Sequence, residues 1–288
     1  MFSAITLNDA SGSPVDFHQP TGKRRIHRAI GLSGIQSPRQ VVRSRPTAHG
    51  QINDTRWTDG RLVVLEGRVH STVSPADAFA EFRTLTTPML QTLDEGAALL
   101  KWTEESGLAL QASVKLYGEV EPPVEVGANL LAYQAQLLAE DPRAYSQTLN
   151  TATGGTISTA PGGWTWPRTM PITFSASAGG AVAVNNIGNR PTPPIFRVYG
   201  MCVNPQVLLV GSTSRIALTG TIAAGDYLEI DVAQRTIKVN GTSSVLNFLD
   251  AANTTWFDLP RGASTIQLLA GTFDTVARCD VLYRSAYT

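Results

Sequence analysis

From about residue 150 to residue 288 the sequence carries almost no helical periodicity. Short β-branched and apolar stretches alternate there with turns rich in Gly, Pro, Asn and Thr, at about the 8–12-residue spacing of an antiparallel β-sandwich. Strands are expected at 171–176, 181–187, 195–199, 206–210, 215–219, 226–232, 235–240, 254–259, 264–270 and 276–284. GDYLEID (225–231) followed by QRTIKVNG (234–241) reads as a hairpin. Asn240-Gly241 is a tight-turn signal, because a type I′ turn needs positive φ at both central residues. Such a segment cannot become a helical bundle or a parallel α/β sheet. The stretch NTATGGTISTAPGG (150–163) is small, polar and glycine-rich, as domain boundaries tend to be. A chain of 288 residues has room for two domains at about 150 residues each. The expected division is 1–150 and 151–288.

The first half reads as mixed α and β. RLVVLEGRV (61–69) is a β-branched run after the turn signal Asp59-Gly60. A helix follows over about 75–86: Ser74 is placed to cap, Pro75 suits the first helical position, and Asp77 completes a capping-box spacing. Phe79, Phe82, Leu85, Met89, Leu90 and Leu93 recur at helical spacing, with Phe79 and Phe82 expected in the core. Pro88 removes an interior hydrogen bond, so Thr87-Pro88 is expected to begin another turn or two. LALQASVKLYGEV (108–120) alternates strictly, as a strand with one buried face does. An extended segment through LLAYQAQLLAED follows, ended by Asp141-Pro142.

Charge sums to zero, with a pI near 6.9, which argues against a dedicated nucleic-acid or anionic-membrane binder. Its distribution is uneven. Residues 1–70 carry ten Lys/Arg against five acids, and residues 94–141 carry nine acids against Lys101 and Lys115. One reading is two solvated faces. The other is a head-to-tail oligomer in which a basic patch on one copy (Lys23, Arg24, Arg25, Arg28) meets an acidic patch (Glu119, Glu121, Glu125) on the next. No run approaches the roughly 18 apolar residues of a spanning helix. The opening MFSAITLNDASG lacks the basic start and apolar stretch of a signal peptide.

The search for chemistry is mostly negative. His18, His27, His49 and His70 include no i, i+4 pair and none lies near a cysteine, so no zinc signature forms. Nucleophile elbows, Walker loops and dinucleotide fingerprints are missing from the sequence. Asp226, Glu229 and Asp231 are the nearest thing to a calcium or catalytic carboxylate set; a turn residue with two exposed strand acids is the plainer account. Cys202 and Cys279 fall in expected strands and read as small buried hydrophobes. Trp164, Trp166 and Trp256 offer either a sugar-stacking platform or protein-packing anchors. No catalytic residue, metal or cofactor is expected.

NNIGNRPTPPIFRVYGMCVNPQV (185–207), GDYLEIDVAQRTIKVNG (225–241), WFDLPRGASTIQLLAG (256–271) and the closing VLYRSAYT, in that order and spacing, resemble the C-terminal half of the distal tail proteins of long, non-contractile-tailed bacteriophages. The first half agrees, through RLVVLEGRV, the helix, and the strand pair ending LLAYQAQLLAEDPRAYS. The resemblance runs over about residues 25–288. It implies a mainly β chain: an N-terminal α+β belt domain (a β-sandwich plus helix) followed by a galectin-like antiparallel β-sandwich. It further implies a virion tail-tip protein, assembled in the host cytoplasm. Copies would form a hexameric hub ring joining the tail tube protein to the tail-tip proteins, with DNA passing through the centre unbound. The family offers no catalytic residues to carry over. A strongly basic inner wall would retain DNA, so Lys23 to Arg28 are expected to face protein. The rival reading is a carbohydrate-binding sandwich that acts without a ring, through Trp164, Trp166 or Trp256.

Overall fold

The structure is a computed structural model that describes residues 2–9, 11–19, 22–35, 38–39, 42–44, 49, 51–53, 57–94, 96–120, 124–127, 129–157 and 180–288. The chain divides into two compact units, Met1–Gln147 with Tyr287–Thr288, and Thr148–Ala286. Among the described residues the fold is mainly β with one α-helix, and the strand pairings with an assigned register are antiparallel.

In the first unit the strands are β1 (Phe2–Asn8), β2 (Pro14–Asp16), β3 (Arg24–Ile30), β4 (Pro38–Arg39), β5 (Val42–Ser44), β6 (Gln51–Asn53), β7 (Trp57–Thr58) and β8 (Arg61–His70). Helix α1 (Pro75–Asp94) follows, then β9 (Ala98–Glu104), β10 (Ala109–Leu116), β11 (Val124–Gly127), β12 (Leu130–Ala139) and β13 (Ala144–Ser146). The main sheet runs β2-β1-β9-β10-β12-β8-β3, with β11 also on β12 and β13 on β10. β8 and β12 pair over their whole lengths, from Leu130 opposite His70 to Ala139 opposite Arg61. The period-two pattern dictates which face they bury: Val63, Leu65 and Val69 of β8 and Leu131, Tyr133, Ala135 and Leu137 of β12 all enter the core. In β10, Leu110, Ala112 and Val114 are buried, on the face expected for the alternating stretch. At about 25 cal/mol per Å2 of apolar surface removed from water, each such side chain contributes about 1.5–3 kcal/mol.

Helix α1 packs on that face against β8, β10 and β12. Ser74 caps it, its Oγ accepting the Asp77 N–H at 3.2 Å. The Asp77 carboxylate does not complete a capping box; it accepts the Ser71 hydroxyl at 2.6 Å and the Lys23 ammonium at 2.8 Å. The helix does not stop at residue 86 but runs as one element through Pro88 to Asp94. Thr84, whose carbonyl loses the Pro88 N–H, is an exposed residue, so solvent can replace the missing donor. The Arg83 carbonyl gains the Thr87 hydroxyl at 2.8 Å. An unbroken helix keeps its phase, so Ala78, Leu85, Met89 and Thr92 share the buried stripe. Phe79 is therefore 36% exposed instead of in the core, and Leu90 and Leu93 face outward at 53% and 64%. Phe82 packs against the core edge.

Arg61 opens β8 with a fully buried guanidinium. Its Nε and Nη2 donate to the Pro142 carbonyl at 3.0 and 2.8 Å, and its Nη1 donates to Gly31 and Leu32 carbonyls at 2.8 and 3.1 Å. Burial lowers its pKa, but an arginine stays protonated even so.

The second unit contains β14 (Asn150–Ala152), β15 (Ala181–Asn186), β16 (Ile195–Tyr199), β17 (Cys202–Val203), β18 (Gln206–Leu209), β19 (Arg215–Ala217) and β20 (Thr221–Ile222). β21 (Tyr227–Asp231), β22 (Thr236–Val239), β23 (Ser243–Ser244), β24 (Gly262–Leu269), β25 (Thr272–Phe273) and β26 (Arg278–Tyr283) follow. One sheet runs β14-β26-β16-β21-β22-β23, a second β15-β24-β18-β19, and a small third β20-β17-β25. Phe196, Val198, Leu228, Ile230 and Val281 of the first meet Val182, Val184, Val207, Ile266 and Leu268 of the second in one core. Asn240 and Gly241 have φ of 52° and 71°, the expected turn, joining β22 to β23. The strand expected at 254–259 does not form. Leu259 makes only an isolated bridge to Thr192, while Phe257 and Leu259 fill the core from a loop that Pro260 keeps out of a ladder. The strand expected at 171–176 lies outside the described residues.

Candidate functional site

The basic run 23–28 folds as strand β3 and its approach, at one edge of the main sheet. Pairing with β8 sorts its side chains. Arg24 lies opposite Val69, on the helix side, and Arg25 lies opposite Arg68, on the other. Lys23 Nζ reaches Asp77 at 2.8 Å and Glu81 at 3.3 Å. Arg24 donates to Glu81 Oε2 from Nε at 3.0 Å and Nη2 at 2.6 Å. These bonds raise the Lys23 pKa, chiefly through Asp77, and lower those of Asp77, chiefly through Lys23, and of Glu81, chiefly through Arg24. Arg28 and His27 turn to Glu66 of β8, at 3.3 and 3.9 Å. So the four cations named in the sequence do not act as one outward patch. Lys23, Arg24 and Arg28 are committed to carboxylates of their own chain.

Arg25 is exposed and has no partner among the described residues, and the same holds for Arg68 directly across the ladder. Like charges at opposed positions repel. With Gly22, Lys23, His70 and Leu130 they line an open pocket of about 360 Å3. Arg68, counted in the basic first quarter but not in the named patch, and His70 enter through the β8 register; their spacing from Arg25 in sequence gives no hint of it.

Of the acidic residues named from the sequence, Glu125 stands across the same sheet. At this height the strand order is β11-β12-β8-β3, with one row of partners running Val124, Ala132, Arg68, Arg25. Glu119, in the segment between β10 and β11, is exposed and without a partner among the described residues. Glu125 stands in β11 opposite Leu131, and Glu121 lies outside the described residues.

In the second unit the carboxylate trio is dispersed. Glu229 accepts Arg197 Nε at 2.9 Å, Asp226 accepts the Asn240 amide at 2.9 Å, and Asp231 accepts the Gln234 N–H at 3.0 Å. Among the described residues no three His, Cys, Asp or Glu side chains are grouped to hold a metal. Cys202 and Cys279 are free thiols in the core, and burial pushes the Cys202 pKa up to about 11 and raises that of Cys279 further. Trp256 is half-buried, its ring packed on the core instead of presented as a platform. Trp164 and Trp166 lie outside the described residues. One surface feature was not read from the sequence. Tyr199 and Tyr227 stack at 5.4 Å between ring centroids, with Arg278 4.5 Å over the first and Arg197 5.7 Å over the second. This ladder is internally satisfied through Glu229 and Asp280.

Residues 187–287 match the model of a protein family described as siphovirus-type tail component, C-terminal domain. Among solved structures the chain is similar to the Dit protein of phage SPP1, described as a paradigm of the hub adsorption apparatus in phages that infect Gram-positive bacteria. The two are 12% identical, with a TM-score of 0.69, and 99% of each chain is covered. It is also similar to chains of the phage p2 baseplate in its activated conformation. The form with Ca gives a TM-score of 0.57 at 11% identity over 99% of this chain and 98% of that one. The form with Sr gives 0.56 at 12% over 98% and 97%. At such identities the likeness is one of fold. The resemblance read from residues 185–288 is thereby borne out, as is the mainly β fold class. A search of the curated proteins by sequence finds no match.

Proposed function

We propose that this chain is a structural protein of a phage tail, a hub of the distal tail kind. Residues 1–150 form the belt domain, whose copies close head to tail into a hexameric ring. Residues 151–288 form a galectin-like sandwich. The ring joins the tail tube protein to the tail-tip or host-adhesion proteins in the virion, after assembly in the host cytoplasm, and DNA passes through its centre without specific binding. The role is mechanical and requires no catalytic residue, metal or cofactor.

The observation that carries this reading is the likeness to the SPP1 Dit protein over 99% of both chains, both units included. The family match over 187–287 supports it from sequence. Of the tryptophans in the sugar-platform alternative, Trp256 is partly buried against its own core. Negative-stain microscopy of the concentrated protein, with light scattering for mass, tests the proposal. Six-fold rings with an open centre are the expected result. A monomer at every concentration, with or without glycan binding, would overturn it.

A further inference from the structure

We infer that the pocket formed by Arg25, Arg68 and His70 is an anion-receiving site that takes acidic side chains from a second copy of this chain, Glu119 foremost. The inference rests on the ring reading above and names the contact that reading lacks. Three observations carry it. First, Arg25 and Arg68 are held directly opposite each other by the β3–β8 register, exposed and without a carboxylate among the described residues. The neighbouring cations Lys23, Arg24 and Arg28 all have one. A cross-strand arginine pair left unneutralised is unfavourable in the isolated chain and becomes favourable once an anion bridges it. Second, the chain's own exposed acid lies beyond β12 from the pocket. Glu119 follows Tyr117, whose N–H donates to the Gln136 carbonyl on the side of β12 away from β8, so β12 and β8 stand between that segment and β3. One copy therefore presents the anion on one side and the pocket on the other. Third, contact between like edges would set Arg25 against Arg25, so the complementary arrangement is head to tail, the heterologous kind that closes into rings.

The contact runs through side chains, not through an extended sheet. The outer edge of β3 is already occupied at this height: the Gln19 N–H donates to the Arg24 carbonyl at 2.8 Å, and the Ile26 N–H donates to His18 Nδ1 at 3.2 Å. An incoming strand finds neither group free. The outward face holding Arg25, Arg68 and His70 stays open to a carboxylate.

The test uses the full chain and follows assembly against concentration by sedimentation velocity, at low and high salt, with circular dichroism to verify folding. Arg25→Glu with Arg68→Glu, and separately Glu119→Arg, are each expected to raise the midpoint concentration for assembly at least tenfold. Assembly of the unaltered chain should weaken with salt. All three substitutions in one chain restore opposite charges across the contact and should return the midpoint to within about threefold of the original. Assembly that ignores the reversals, or a triple variant that fails to recover, overturns this contact and leaves the ring reading standing. An unaltered chain that never assembles overturns both. If short duplex DNA is retained by the unaltered chain and lost on Arg25→Glu with Arg68→Glu while assembly is unchanged, the pocket belongs to phosphate and the inference falls.

Discussion

Arg61→Met removes four hydrogen bonds donated by one fully buried guanidinium, without removing its volume. The backbone carbonyls of Gly31, Leu32 and Pro142 each lose this donor in a place where the side chain itself is inaccessible. An orphaned buried acceptor costs about 1–3 kcal/mol; the Leu32 contact is buried and those to Gly31 and Pro142 are partly buried, so the three together cost about 3–6 kcal/mol. The methionine avoids burying a cation, and replacing buried charge by apolar volume returns about 1–4 kcal/mol. The midpoints of these ranges leave a net loss of about 2 kcal/mol, or roughly 6 °C in Tm at about 2–4 °C per kcal/mol for a unit of this size. Arg61→Lys keeps the charge but not the fork. One ammonium cannot reach Pro142 on one side and Gly31 and Leu32 on the other, so about half the loss is expected. Scanning calorimetry gives the total, and hydrogen exchange along a urea series assigns it to a unit. The expected result is early exchange in peptides of β8 and of residues 29–35, with the second unit's transition unmoved. A loss under about 1 kcal/mol, or equal loss in both units, would refute the idea that this guanidinium ties those loops to the sheet.

Gly67→Ala should destabilise the first unit by about 1–3 kcal/mol, since a Cβ there would stand 2.5 Å from the Tyr133 hydroxyl and 2.6 Å from ring carbon Cζ. Tyr133→Phe alone should be neutral or about 1 kcal/mol stabilising, because that hydroxyl is buried without a partner among the described residues; it should not rescue Gly67→Ala, whose clash is with the ring, and urea unfolding measures both. The lowered pKa values of Asp77 and Glu81 give stability that is present above the ordinary carboxylate values of 3.8 and 4.5 and is lost as pH falls through the folded-state values below them. Hydrogen-exchange protection factors in residues 75–94, corrected for the intrinsic rate at each pH, should therefore fall on acidification below about pH 4, and Glu81→Gln should flatten that dependence. Cys202 and Cys279, with raised pKa values in the core, should resist maleimide at pH 8 in the native protein and both react once it unfolds.

What the sequence showed well was burial along single strands. Alternation in residues 108–120 is a direct consequence of period-two side-chain direction, and β10 forms with the expected inner face, while the runs at 61–69 and 130–139, read only as extended, form β8 and β12. Pairing was less legible, because apolarity encodes burial and not hydrogen bonding. Phe257 and Leu259 enter the core from a loop that reads like a strand. Pro88 misled in the other direction: a local rule against interior proline gave way to a carbonyl left at solvent and to a continuous buried stripe. The charges were least legible of all. Lys23 finds Asp77 54 positions away and Arg24 finds Glu81 57 away, so a run that looks like one basic patch is divided by a register that no local pattern announces.

The place of β26 has a kinetic consequence. It lies between β14 and β16, yet it is synthesised after every other strand of its sheet; Thr151 must wait for Leu282. Closing a loop of roughly 130 residues costs about 3 kcal/mol more chain entropy than closing a four-residue hairpin, at about 0.6 kcal/mol per doubling. While the chain is still emerging from a ribosome, two strands of that sheet stand with open edges toward an absent neighbour, a state prone to pairing with other nascent copies. That sheet therefore closes only once residues 278–283 have emerged. Truncations just upstream of residue 278 should yield insoluble protein rather than a smaller sandwich.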